Sequence, residues 1–143
     1  MIIPDVNLLL YAYNDGYPQH ERAKGWWEAQ VNSNVQIGLA DVVIYGFLRI
    51  GTNPRILEVP MSIDEAVGHI EAMLAEANVF RAPAGPQTFD YTLRCLRDIG
   101  TGGNLTTDAQ IAGLAIEWDA TVCSNDADFG RFPSVKWTNP LAG

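Results

Sequence analysis

Four aspartates stand beside apolar runs, in helix-opening or polar segments. They are Asp5 in IIPDVN, Asp108 in TTDAQIAG, and Asp126 and Asp128 in SNDADFG. Carboxylates gathered without a basic partner repel one another, so a site built from them holds protons or a cation. Hard oxygen donors of this kind suit Mg²⁺ or Mn²⁺. A divalent ion so held can activate water and neutralise charge on a phosphodiester. Each acid also has a purely structural reading. Asp5 suits a helix N-cap, and Asp108 sits in a first turn that the helix dipole favours for any carboxylate.

Other chemistries find less support. His20 and His69 lack a Ser, Cys or second His at a spacing that suggests catalysis or metal binding. Cys95 and Cys123 lie in apolar segments without CxxC spacing and read as buried free thiols. The glycine-rich stretch Gly100 to Asn104 lacks the Gly-Lys-Ser/Thr ending of a phosphate-binding loop.

The elements that must position the acids follow from hydrophobic periodicity. Met1 to Pro4 reads as a buried strand and Leu8 to Tyr13 as the opening of a helix, which puts Asp5 at the strand's carboxyl end. Pro18 to Asn32 is a second helix with Ala23, Trp26, Trp27 and Val31 on one face. The tryptophan pair suits the core or a partner surface, with base stacking as the alternative. Val35 to Ala40 is a strand, and Asp41 stands at the N-cap of a third helix, Val42 to Ile50. Thr52-Asn53-Pro54 then stops the chain.

Ser62 and Glu65 form a capping box. It opens a helix to about Ala77 with Ile63, Ala66, Val67, Ile70, Met73, Leu74 and Ala77 in one stripe and His69 off it, in solvent. Asn78 to Ala82 is a strand. Pro86 to Ile99 is a helix with Phe89, Thr92, Leu93 and Leu96 inward. The helix after Thr106-Thr107-Asp108 buries Ile111, Ala112, Ala115 and Trp118. Thr121 to Ser124 and Val135 to Thr138 are the last strands. Strands alternating with helices predict an α/β class with a mostly parallel sheet covered on both faces. In such a sheet all carboxyl ends share one edge, so acids far apart in sequence can converge there.

The 143 residues suit one domain, and a 48 % hydrophobic, 18 % charged composition is that of a globular chain. No apolar run approaches the roughly 20 residues of a membrane span. No basic segment precedes the first apolar run, so the cytoplasm is the expected location. A net charge of −8 argues against broad electrostatic capture of nucleic acid. It does not exclude a nucleic-acid enzyme, because a carboxylate site adds to the negative balance and bound cations reverse the local sign.

The opening IIPDVNLLLYAYN, the central FLRIGTNPRI and the closing NLTTDAQIAGLAIEWDATVCSNDADFGRFPSVKWTNPL together resemble a VapC-type PIN-domain toxin over essentially the whole chain. The resemblance implies a single PIN domain, 1–143, with three α/β/α layers and a mostly parallel sheet of about five strands. It further implies a Mg²⁺- or Mn²⁺-dependent endoribonuclease, the toxin half of a type II toxin–antitoxin pair. A cognate antitoxin segment would lie across the helical groove and cover the acids, and the toxin would form a homodimer; an exposed apolar face including Trp26 and Trp27 would suit that groove.

In that pattern Asp5 is the first metal-binding acid, Asp108 the acid opening the late helix, and Asp126 the acid after the late strand, with Asp128 just beyond. Asn7 matches the polar residue that supports the first acid. One departure stands out. Many PIN nucleases carry a glutamate in the third helix where this chain has Gly46, and Asp41, about a turn and a half earlier, is the partial substitute. The expected reaction is hydrolysis of an RNA phosphodiester, in a single-stranded loop open to reading. Arg49, Arg55, Arg94, Arg97 and Arg131 are candidate phosphate contacts, although Arg94 and Arg97 also suit a helix carboxyl end. Two rivals remain. One is a PIN-like RNA- or protein-binding module without turnover, motivated by Gly46. The other is a different small phosphohydrolase, disfavoured because Asp-Val-Asn lacks the second aspartate of a DxD nucleophile motif.

Overall fold

The computed structural model describes residues 1–143. Five short parallel strands form one sheet, β1 (Ile2–Pro4), β2 (Ile37–Leu39), β3 (Val79–Arg81), β4 (Thr121–Cys123) and β5 (Lys136–Thr138), in the order β3-β2-β1-β4-β5. The helices are α1 (Val6–Tyr13), α2 (His20–Val31), α3 (Asp41–Gly51), α4 (Ile63–Ala75), α5 (Thr88–Ile99) and α6 (Leu105–Trp118), followed by a 3₁₀ turn, Ala127–Arg131. α1 packs on α2 and α3, and α3 on α4, while α5 pairs closely with α6. This is the expected α/β fold with a five-stranded parallel sheet. Its core is apolar at the centre, where Ile3, Leu8, Leu9, Ile37, Leu39, Phe47 and Val122 are fully buried.

The register sets up the site. Leu39 pairs with Arg81, Pro4 with Cys123, and Cys123 with Thr138. Ile2 pairs with Ile37, so Pro4 stands level with Leu39. One row of carboxyl ends therefore crosses the sheet, and Asp5 and Ser124 are the next residues on the two central strands. The order reverses direction between β1 and β4, which is where open α/β sheets form their ligand crevice.

Several outward and inward assignments differ from the sequence reading. α1 begins at Val6 rather than Leu8, because Asp5 caps it by accepting the Val6 N–H at 2.7 Å. α4 has the capping box, but it buries only Ala66, Ile70 and Met73 and leaves Ile63 and Val67 exposed. Its contact stripe is narrow, one residue per turn. On α5 the buried positions are Thr88 and Cys95, while Phe89 and Leu93 face outward. The reason is the closeness of α6: a Cβ on Gly113 would lie 2.7 Å from the Thr92 nitrogen and 3.0 Å from the Thr88 oxygen. That contact centres on Thr88 and Thr92 and turns Phe89 away.

Trp118, expected inward, is partly exposed. It packs edge-on against Phe80 and donates its indole N–H to the Pro83 carbonyl at 3.1 Å. Trp27 is buried and donates to the Tyr13 hydroxyl at 3.0 Å, whereas Trp26 is half-buried. The pair is therefore no open stacking platform. His69 is not simply solvated, since its ring lies 4.7 Å from that of Tyr13. Both cysteines are free and buried, and no helix is long and apolar enough to cross a membrane.

Candidate active site

The site is assembled from three segments that leave the same sheet edge. Asp5 follows β1, Ser124 and Asp126 follow β4, and Asp108 lies in the first turn of α6. Asp5 is 6 % exposed. Its backbone N–H donates to the Cys123 carbonyl at 2.8 Å, which locks the two central strand ends together. One carboxylate oxygen caps α1, and the other accepts the Ser124 hydroxyl at 2.7 Å. Asp5 is therefore the N-cap of α1 and also a buried carboxylate at the sheet edge where the other acids gather.

Ser124, fully buried, is the hub. Besides donating to Asp5, its oxygen accepts the Asp126 N–H at 3.0 Å and the Asn7 amide at 3.3 Å. Asp126 in turn caps the 3₁₀ turn by accepting the Asp128 N–H at 2.9 Å. Asn7, expected to support the first acid, donates to Ser124 and not to Asp5 itself. Its own carbonyl oxygen is buried with no partner in the chain. Sequence reasoning did not single out Ser124. The available signal was a small polar residue directly after an apolar strand, at a position where burial demands a partner.

Asp108, Asp126 and Asp128 place carboxylate oxygens within 4.8 Å of one another. Asp5 lies outside that trio and behind it, close enough for the charges to interact. Burial pushes Asp108 up to about 7, with Asp5, Asp126 and Asp128 adding repulsion in that order. Burial also raises Asp5, opposed by the hydrogen bonds from Ser124 and Val6, with Asp126 adding to the rise. The one ion pair made by the trio is with Arg131, whose guanidinium is 3.9 Å from Asp128 and half-exposed. Three hard oxygen donors in reach of solvent, an unpartnered amide oxygen nearby and little compensating positive charge fit a divalent cation.

The other candidates lie elsewhere. Asp41 does not join the trio; it accepts two hydrogen bonds from Arg81, at 2.8 and 3.1 Å, on one carboxylate oxygen. Gly46 is buried, and a Cβ there would meet Val6 at 3.4 Å, so this slot faces the residue next to Asp5. Arg49, Arg55, Arg94 and Arg97 are exposed, with Arg94 over the Tyr91 ring at 5.4 Å. None of these four forms an ion pair.

The PIN-domain family model matches residues 2–135. Ribonuclease VapC33 of Mycobacterium tuberculosis is 47 % identical over 141 residues, 99 % of each chain. Among solved structures, VapBC-1 from nontypeable Haemophilus influenzae superposes with a TM-score of 0.70 at 16 % identity, covering 99 % of this chain and 100 % of that one. A toxin–antitoxin complex from Klebsiella pneumoniae does so with a TM-score of 0.66 at 13 % identity, covering 98 % of each. The chain belongs to the PIN-domain family, in its VapC branch.

Proposed function

We propose that this VapC-type chain is a single-domain endoribonuclease that hydrolyses RNA phosphodiester bonds with a bound divalent cation, Mg²⁺ or Mn²⁺. The reading includes its role as a toxin neutralised by a cognate antitoxin. The observation that carries it is the trio of carboxylates within 4.8 Å at the sheet's switch point. The name of the M. tuberculosis relative, a ribonuclease, supports RNA as the substrate.

Asp108, Asp126 and Asp128 would hold the cation, with Asp5 reaching it directly or through water. Bound there, the cation supplies Lewis-acid stabilisation and a more acidic water. Asp5 is held by Ser124 and Val6, so its carboxylate is oriented before substrate arrives. Asp126 is held at its N–H by Ser124 and at one oxygen by Asp128. The second Asp126 oxygen, which accepts no hydrogen bond within the chain, would complete the cation's shell or orient the attacking water. Arg131 stands on the rim as a phosphate contact that also tempers the charge of Asp128.

The antitoxin would use the cleft of about 420 Å³ between α1, α2 and α4, which Tyr13, Trp27, Val31 and Met73 line with Lys24 and Glu28. Such a groove suits an amphipathic segment. The exposed Phe89 and Leu93 on α5 support a homodimer contact. The test is cleavage of single-stranded RNA with Mg²⁺ or Mn²⁺ and with chelator. Expected is cation-dependent cutting that Asp5→Asn abolishes; cutting by that variant at the wild-type rate sinks the assignment.

Gly46 favours a second reading, a PIN domain that binds RNA or protein without turnover. Calorimetric titration separates the two, since no divalent binding at millimolar concentration supports this alternative.

A further inference from the structure

Along the outer face of α3 run Asp41, Tyr45 and Arg49, spaced four residues apart and therefore in one stripe. Tyr45 is 66 % exposed, unusual for a large ring in a chain whose other tyrosines are at least half-covered. Arg81, the last residue of β3, lies beside the start of this stripe. Asp41 receives its Nε and Nη2, and Nη1 makes no bond within the chain. The guanidinium is held in its charged form first by hydrogen bonding to Asp41 and by that residue's charge, and Tyr45 adds to the same field. Tyr45 lies one helical turn from Asp41, the residue that holds Arg81. The stripe presents an aromatic ring between two cations, Arg81 and Arg49, in a protein of net charge −8.

Its place on the fold matters as much as its composition. Arg81 pairs with Leu39, which stands level with Pro4, so Arg81 leaves the same sheet edge as Asp5, two strands away. At strand spacing that is roughly 10 Å. Tyr45 adjoins Gly46, which faces Val6 and hence the capped end of α1. A chain crossing the acid cluster toward β2 and β3 would meet this stripe next.

Resting on the ribonuclease reading, we propose that the α3 stripe is the track for single-stranded RNA beside the cleavage site. Tyr45 stacks on a base, Arg81 and Arg49 contact phosphates, and Asp41 is a positioning residue for Arg81. Stacking on an exposed ring with flanking cations is how sequence-tolerant single-strand binding is built.

The test uses the full chain with a fluorescein-labelled mixed-sequence single-stranded RNA, titrated by anisotropy in chelator, in the wild type and in Tyr45→Ala, Tyr45→Phe and Arg81→Gln. The side chains are exposed, and circular dichroism confirms folding. Tyr45→Ala is expected to weaken binding by about tenfold, within the range of one stacked base, with Tyr45→Phe within twofold of wild type. Arg81→Gln should reduce the salt slope by about one. In cleavage, Tyr45→Ala should raise KM and leave kcat within about twofold. Unchanged binding and KM in Tyr45→Ala, with wild type cutting normally, overturns this inference alone. Equal losses in Tyr45→Phe and Tyr45→Ala also overturn it, because stacking needs only the ring. Variants that keep RNA affinity but lose antitoxin binding assign the stripe to protein instead and overturn it too. A wild type that neither binds nor cuts RNA overturns both this inference and the ribonuclease reading.

Discussion

Ser124 reaches across 119 positions of sequence to donate its hydroxyl to the inner oxygen of Asp5 at 2.7 Å. The Ser124 hydroxyl oxygen itself accepts the Asp126 N–H and the Asn7 amide. One fully buried hydroxyl therefore fixes two of the acids and their support relative to one another.

Ser124→Ala leaves the buried Asp5 oxygen and the Asp126 N–H without that partner. The expected loss is about 1–3 kcal/mol of stability, read by urea unfolding. Cleavage should fall on the order of 10–100-fold, as for other groups that orient metal ligands. An activity within twofold of wild type would show that Asp5 and Asp126 hold their positions without the hydroxyl.

Asp108 makes the cation-free protein sensitive to pH. Its folded value of about 7 exceeds its ordinary 3.8, so between those values the native state keeps a proton that the unfolded chain has released. The stability this proton gives is complete below about 4 and is lost as pH rises through about 7. Melting temperature in chelator should therefore decline from pH 5 to 8. Asp108→Asn should flatten the decline and be the more stable form at pH 8. Cation binding must displace the same proton, so the stabilisation by Mn²⁺ should shrink as pH falls below 7.

Gly46 is open to a side chain, since its Cβ would make only ordinary contact with Val6 at 3.4 Å. Gly46→Ala should be tolerated and gain about 0.5–1 kcal/mol from the helix backbone. Gly46→Glu adds a carboxylate near Asp5. It should lower the melting temperature in chelator and enlarge the upward shift on adding Mn²⁺. At 100 times the dissociation constant a bound ion contributes about 2.7 kcal/mol, which thermal unfolding resolves. Equal shifts in the two proteins would mean position 46 does not address the cation.

Gly113 is closed to one. Its Cβ would press on the backbone of α5 at Thr88 and Thr92, which has no flexible end to move. Gly113→Ala should cost about 1–3 kcal/mol and displace α6, which carries Asp108. Thermal melts and cleavage rate should both drop; a variant as stable as wild type would show that α5 and α6 are not held at this distance.

The acids themselves were legible without a structure. Strand–helix alternation predicts a parallel sheet, and a parallel sheet sends Asp5, Asp108, Asp126 and Asp128 to one edge. Strand and helix positions were legible for the same reason, because the period of apolar residues is a local property of the chain.

Which side of a helix faces inward was less so. Phe89, Leu93 and Ile63 are apolar, yet they face outward, because burial depends on where a neighbouring helix touches. For α5 that point was set by Gly113 on another element.

The sequence by itself determined the class of fold, the edge where the acids gather and the kind of ion that suits them. The tertiary structure alone decided how they divide. Asp108, Asp126 and Asp128 meet, Asp5 is buried behind them on Ser124, and Asp41 is drawn off by Arg81. The last two outcomes rest on a hydrogen bond and a charge pair between residues 119 and 40 positions apart, and no local pattern of residue types encodes which distant partner a carboxylate will find.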